Sequence, residues 1–258
     1  MVQSAKITKP AKLSTRLMVA LVATILSNTF LLGAIESKRK LMLHFDKIEV
    51  KGALQVFIEP GNRNREIEYF ASSEIIDSIE ARVLGRTLYL EANNSFDLSR
   101  RIPLIRVSAQ RIFPVEIMVK IDFLKEVRLH DQSNVVVKGV KSDKILLFSN
   151  SSGTLLVDSL KCPALELRQE GSGSVILRGR ETHFLKATVF NEGELRGEEL
   201  FLDRAEVTHH GSGNLFLAPD KWLDLKLNGT GNLTLLEKPD GRVVKKSKGS
   251  GSVIEAYK

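Results

Sequence analysis

The sequence predicts an all-β protein: a parallel β-helix (a solenoid with about 20 residues per coil), preceded by one N-terminal hydrophobic helix. Three observations predict it. A small-residue turn recurs at near-constant spacing, apolar and polar residues alternate on both sides of each turn, and one uncharged run stands near the N-terminus.

The uncharged run is Leu17 to Ile35, LMVALVATILSNTFLLGAI. At about 1.5 Å per residue it reaches across a bilayer core. Lys6, Lys9, Lys12 and Arg16 precede it, the flank that stays cytoplasmic. Residues 1–40 therefore read as a basic leader plus a signal peptide or membrane anchor. The run exceeds a usual signal core and no clean A-x-A site follows it, yet Ser27-Asn28-Thr29 interrupts it. Both readings stay open, and both place residues 41–258 outside the cytoplasm.

The leader also accounts for the charge. The chain has 38 Lys+Arg and 31 Asp+Glu, a net +7. Seven of the basic residues and one acid lie in residues 1–40, leaving 31 and 30 for the remainder, a net +1. A near-neutral body gives no electrostatic footprint for nucleic acid. The single cysteine, Cys162, excludes an intramolecular disulfide framework.

Residues 41–122 read as the irregular first coils of a single domain. Strands are expected over 47–58, 66–70, 79–84 and 87–91, with a short helix over 72–78 and a loop at Arg100-Arg101 and Pro103. No Gly/Ser/Pro-rich linker separates this stretch from the regular coils.

The regular coils, residues 123–256, carry the repeat. The turn recurs as Gln132-Ser133-Asn134, Ser152-Gly153-Thr154, Ser172-Gly173-Ser174, Glu192-Gly193-Glu194, Ser212-Gly213-Asn214, Thr230-Gly231-Asn232 and Ser250-Gly251-Ser252. The centres are evenly spaced except for one slightly shorter step, from Gly213 to Gly231. Stacked in register, like residues form columns, such as Ile145, Leu165, Leu185, Ala205, Leu223 and Val243 before the turn and Val135, Leu155, Val175, Leu195, Leu215, Leu233 and Val253 after it. Period-two alternation with a fixed coil length means strands stacked into parallel sheets. Gly153, Gly173, Gly193, Gly213, Gly231 and Gly251 are expected as structural corner residues tolerating positive φ. In the last coil Lys245 and Glu255 fall in core columns, as suits a coil that blocks a terminal edge. Leucine-rich, nonapeptide calcium and WD-type repeats lack support in pattern or period.

The opening FDKIEVKGALQVFIEPGN (45–62), the later VEIMVKIDFLKEVRLHDQSNVVVKG (115–139) and the GSGS or GSGN corners resemble the head GIN domain family, whose members are called putative auto-transporter adhesins. The resemblance covers about residues 45–256. It implies a right-handed parallel β-helix in an exported bacterial envelope protein. The basic stretch Arg100–Arg111 and the acidic corner at Glu192 and Glu194 depart from the family pattern.

Chemistry is sparse in the sequence. Outward positions carry mixed charges, and only Glu206 and Asp224 stack as adjacent acids, with no base or metal set beside them. His209 and His210 are sequential and so face opposite ways. No catalytic residue, metal ligand or cofactor is assigned. The exception to a polar exterior is an outward row of Val136, Leu156, Ile176, Phe216 and Ile254, broken by Arg196 and Thr234. Strands about 4.8 Å apart would make it an apolar stripe. It is the expected binding surface, unless residues 41–122 pack over it. The function expected is an exported, non-enzymatic structural or adhesion-type module. Its partner would be an envelope or host-surface protein or glycan, or a second copy of itself. The alternatives are a carbohydrate-active enzyme on the same scaffold and a membrane-anchored periplasmic sensor.

Overall fold

The computed structural model describes residues 34–62, 66–97 and 110–257. The hydrophobic run lies outside these apart from Ala34 and Ile35, and among the described residues no helix is long and apolar enough to cross a membrane. The loop expected at Arg100-Arg101 and Pro103 also lies outside them.

The chain enters as strand β1 (Ile35–Leu41), then β2 (Lys47–Lys51), β3 (Gln55–Pro60) and β4 (Glu66–Ser72). A 3-10 turn, Ile76–Ser78, leads to the hairpin β5 (Glu80–Leu84) and β6 (Thr87–Glu91). A small pair, β7 (Ser95–Asp97) and β8 (Gln110–Ile112), precedes β9 (Val115–Ile121). The regular part runs through β10 (Glu126–Asp131), β11 (Asn134–Lys138), β12 (Lys144–Ser151), β13 (Thr154–Asp158), β14 (Ala164–Gln169), β15 (Ser174–Gly179) and β16 (Phe184–Val189). It ends with β17 (Glu194–His209), β18 (Leu215–Leu227), β19 (Leu233–Leu235), β20 (Val243–Ser247) and β21 (Val253–Glu255).

These strands wind into a β-solenoid. One side stacks β2, β10, β12, β14, β16, the second half of β17, the second half of β18 and β20, all parallel. The other stacks β3, β11, β13, β15, the first halves of β17 and β18, then β19 and β21. Registers match the sequence columns: Ile145 meets Leu165, which meets Leu185, and Val135 meets Leu155, which meets Val175. These column residues are buried. A third, narrower side holds the isolated bridges Phe123–Lys141 and Lys141–Lys161. Cys162 is buried on that side and donates its Sγ–H to the Ala164 carbonyl at 2.9 Å, as Ser142 Oγ donates to Lys144 O at 2.8 Å one coil earlier. Burial pushes the Cys162 thiol pKa up, so it is a small packing residue.

The first coils differ from a simple succession. β2 and β3 form a layer, yet β6 pairs with the far edge of β2 and β9 with the far edge of β3. Spatial order is therefore β6/β9, β2/β3, β10/β11: residues 47–60 sit between layers made by later segments. Asp46 joins the three. Its backbone N–H donates to Arg86 O (3.0 Å), its carbonyl accepts from Lys125 N–H (2.8 Å), and its buried carboxylate meets Arg86 (2.8 Å) and Lys125 (2.9 Å). The expected strand over 47–58 is divided by the turn at Gly52, whose φ is +100°.

The N-terminal pole is closed by antiparallel strands. β5 pairs with β6 on one side; β4 pairs with β9 and β1 with β4 on the other. Strand order thus begins at Ile35, and the segment Ile35–Lys40, expected from sequence as the end of the leader, belongs to the sheet. At the opposite pole, Lys245 and Glu255 come from the two sides of the last coil and pair at 2.7 Å. Among the described residues no further coil covers these two core-column charges, which satisfy each other.

Candidate functional site

The apolar row is built by register. Val136 pairs with Leu156, Leu156 with Ile176, Ile176 with Arg196, Arg196 with Phe216, Phe216 with Thr234 and Thr234 with Ile254. All lie on the outward face of the side containing β13, between two buried columns. Val136, Leu156, Ile176 and Phe216 are half-buried, and Ile254 is exposed. Half-burial follows from each side chain lying against the side chains one strand away, apolar from Val136 to Ile176 and Arg196 and Thr234 around Phe216.

The structure lengthens the row. Val136 also pairs with Phe57, and Phe57 with Met118, both half-buried and outward. Met118, Phe57, Val136, Leu156 and Ile176 are five consecutive apolar residues across adjacent strands. Sequence reasoning missed the first two because their neighbours in space are not their neighbours in the repeat. Of residues 41–122, the alternative cover for the row, Phe57 and Met118 instead contribute to the row itself. Beyond Met118 the row turns polar, with Glu68 and then Arg39, which face each other at 3.5 Å.

Arg196 interrupts the row without ending it. Its guanidinium lies 5.4 Å from the Phe216 ring centroid and binds Glu198 at 2.7 Å. The Glu198 hydrogen bond holds the Arg196 pKa above its ordinary value. One flank of the row is polar and neutral over much of its length, with Gln55, Asn134, Thr154 and Ser174. The other carries charges, as in Lys138 beside Asp158 and Glu59 beside Lys120.

The other broad face is a charged and aromatic ladder. Phe190 stacks on His210 at 5.0 Å with an 8° interplanar angle, and Arg168 lies 5.0 Å from the Phe190 centroid. Glu166 binds Lys144 at 2.8 Å, and the hydrogen bond from that ammonium holds its carboxyl below the ordinary range. Glu206 and Asp224 are register partners, as the sequence predicts. Among the described residues no group of three His, Cys, Asp or Glu could hold a metal ion.

His209 and His210 separate as alternation requires. His209 is fully buried, with Nε2 on Gly213 O at 2.8 Å and no partner at Nδ1; burial lowers its pKa. Gln169 makes the same contact two coils earlier, donating Nε2–H to Gly173 O at 2.7 Å.

The corner glycines need a correction. None of Gly153, Gly173, Gly193, Gly213, Gly231 or Gly251 has positive φ; among the described glycines only Gly52, Gly85, Gly139 and Gly179 do. What demands glycine is stacking. A Cβ at Gly173 would fall within 3.0 Å of Gly153 O, and one at Gly213 or Gly251 equally close to Gly193 O or Gly231 O. Each coil lies directly on the corner backbone of the last.

The comparisons with known proteins agree on the architecture. A family model described as "Putative auto-transporter adhesin, head GIN domain" matches residues 44–239. No curated protein matches the sequence significantly. Among solved structures, a putative adhesin from Bacteroides fragilis superposes with a TM-score of 0.72 at 17% identity, over 85% of this chain and 96% of that one. A putative adhesin from Parabacteroides distasonis gives 0.61 at 17% identity, over 86% and 97%. A putative lipid binding protein from Parabacteroides distasonis gives 0.64 at 16% identity, over 86% and 98%. At such identities the likeness is one of fold.

Proposed function

Since the chain belongs to the family described as putative auto-transporter adhesin, head GIN domain, we propose that it is an exported, non-enzymatic interaction module of the bacterial cell envelope. It acts by display. A solenoid, wound right-handed as crossovers between parallel strands generally are, holds side chains at fixed spacing and presents them to an envelope or host-surface protein or glycan, or to a second copy. Residues 17–35 either tether it to the membrane, facing the periplasm or exterior, or are removed to release it.

The observation that carries this reading is the outward row Met118, Phe57, Val136, Leu156 and Ile176, continued by Phe216 and Ile254. Apolar side chains on a solvent-facing sheet reduce solubility, and a contiguous set marks a contact surface. A rigid sheet loses little conformational entropy on binding.

The test replaces Ile176 and Phe216 with Ser and compares the variant with the parent in envelope-protein and glycan pull-downs and in sedimentation. Loss of captured partner or of self-association, with the fold retained by circular dichroism, is expected. Unchanged binding and oligomeric state would remove the row from the function. Fractionation with N-terminal sequencing of the mature protein separates the tethered from the released form.

A further inference from the structure

Among the described residues, the most exposed large apolar side chains are not on the row: Leu41 (80%), Leu43 (73%), Leu84 (70%) and Ile35 (67%) exceed the other exposed large hydrophobic residues there, of which Phe201 at 48% comes next. All four belong to the antiparallel cap of the N-terminal pole. Ile35 and Leu41 are the ends of β1, the last strand of its side; Leu43 follows it; Leu84 ends β5, the last strand of the other side.

Two contacts bring these segments together. Lys40 Nζ donates to Ala81 O at 3.0 Å, and Arg86 meets His44 Nε2 at 3.2 Å. Residues 40–44 therefore run beside 81–86, and Leu41, Leu43 and Leu84 share one end of the molecule. Their neighbour Met42 points the opposite way and packs on the core, so alternation turns the leucines outward. Of the three cations of β1, Lys38 pairs with Asp77 and Arg39 with Glu66 at 3.0 Å, while Lys40 is held by the Ala81 carbonyl. This pole offers apolar contact more than free charge.

We infer that the N-terminal pole rests on a lipid bilayer, with Leu41, Leu43 and Leu84 in the interfacial layer. The continuity of the chain identifies the occupant. The uncharged run Leu17–Ile35 ends in the first residue of β1, so no spacer separates a tether from the sheet. A tethered chain brings this pole to the membrane, where exposed leucines leave water for the acyl boundary. The axis then points away from the bilayer, and the row and the Lys245–Glu255 pole are held outward. This inference rests on the tethered form of the proposed function.

The test uses the full chain with an intact N-terminus, reconstituted in phosphatidylcholine vesicles. Single cysteines replace Leu43, Leu84 or Ile254 and carry a fluorophore; Cys162 is fully buried and is left unlabelled by native-state reaction. Flotation with the vesicles reads the tether alone. Quenching by aqueous iodide and by lipid-borne nitroxide reads the pole. The expected result is loss of iodide quenching and gain of nitroxide quenching at 43 and 84, with 254 unchanged. Vesicle-bound protein with 43 and 84 as open to iodide as 254 would overturn the inference while leaving the tether intact. Failure to float would overturn both. Protection at 43 and 84 without vesicles, rising with protein concentration, would assign the pole to a second copy and overturn the bilayer contact.

Discussion

The regular coils, from β10 onward, and the layers built from β1 to β9 reach one architecture by different means. In the regular coils each layer is the next segment of chain, and like residues stack once per coil. In the N-terminal layers the order in space is β6/β9, β2/β3, β10/β11, so no local repeat can enforce it. There the same parallel ladders join the layers, and Asp46 adds ion pairs to Arg86 and Lys125 across three of them. A continuous surface therefore does not require a continuous repeat: the apolar row crosses the junction at Phe57–Val136 without losing register.

The largest effects should come from the core and should separate the two regions. Ile58→Ala, in the layer held between two others, is expected to cost about 2–5 kcal/mol. Because β3 contacts layers from both directions, its loss should lower protection of β6, β9 and β11 together in hydrogen exchange. Leu235→Ala costs less of the whole, since a terminal repeat touches few neighbours; its exchange effect should be confined to β18–β21.

Glycine substitutions come next. Gly213→Ala forces a Cβ onto Gly193 O and is expected to cost about 1–3 kcal/mol as overpacking. Gly85→Ala meets nothing within 4 Å but has φ +56°, so its cost is the left-handed penalty of about 1–2 kcal/mol. Asn, which tolerates that conformation, should relieve Gly85 and not Gly213. Chemical denaturation of the four variants checks this.

Acid should distinguish the regions further. Burial raises the Asp46 pKa, but the Lys125 hydrogen bond and the charges of Lys125, Arg86 and Lys47 outweigh it and leave the carboxyl below its ordinary value. Its contribution is present above the unfolded carboxyl pKa and is lost as pH falls through the folded one. His209 behaves differently. Its folded pKa is lowered by burial, so the unfolded chain binds the proton first. Stability should fall as pH drops below about 6.5, the unfolded His value, toward the folded pKa. His209→Gln, which copies Gln169, should flatten that slope while keeping the corner contact; Asp46→Asn should flatten the more acidic one. Melting temperature against pH reads both.

The smallest effect is expected at the exposed C-terminal pole. Lys245→Met should leave the global melting temperature unchanged, because the pair with Glu255 is surrounded by solvent. It should instead expose an apolar coil edge and raise self-association in sedimentation.

The regular coils are legible in the sequence because one steric requirement recurs there. Stacked backbones exclude a Cβ at Gly173 and Gly213, and side chains that alternate in and out must repeat with the coil. Positions in the columns, including the row from Val136 to Ile254, follow directly. The interleaved layers are not legible, since nothing local to residues 47–60 specifies that Phe57 will lie between Met118 and Val136. Nor is β1, whose apolar start is continuous with the hydrophobic run and whose Ser-Lys-Arg-Lys centre has no strand signature. The reason for glycine at the corners is hidden for a related cause: a turn suggests a dihedral requirement, whereas the crowding comes from the next coil. The opposed charges Lys245 and Glu255 are visible as charged residues in core columns, and their pairing follows from coil ends facing each other.

Display by the apolar row is decided by setting the two broad faces against each other across the junction. One variant carries Phe57→Ser and Val136→Ser in the row; the other carries Leu146→Ser and Phe148→Ser on the opposite outward face. Capture of envelope proteins, host-surface proteins and glycans is measured for both, alongside sedimentation, with circular dichroism confirming the fold. The row variant is expected to lose its partner or its self-association, and the opposite-face variant to keep it. Equal retention by both, or loss only from the opposite face, would refute display by the row.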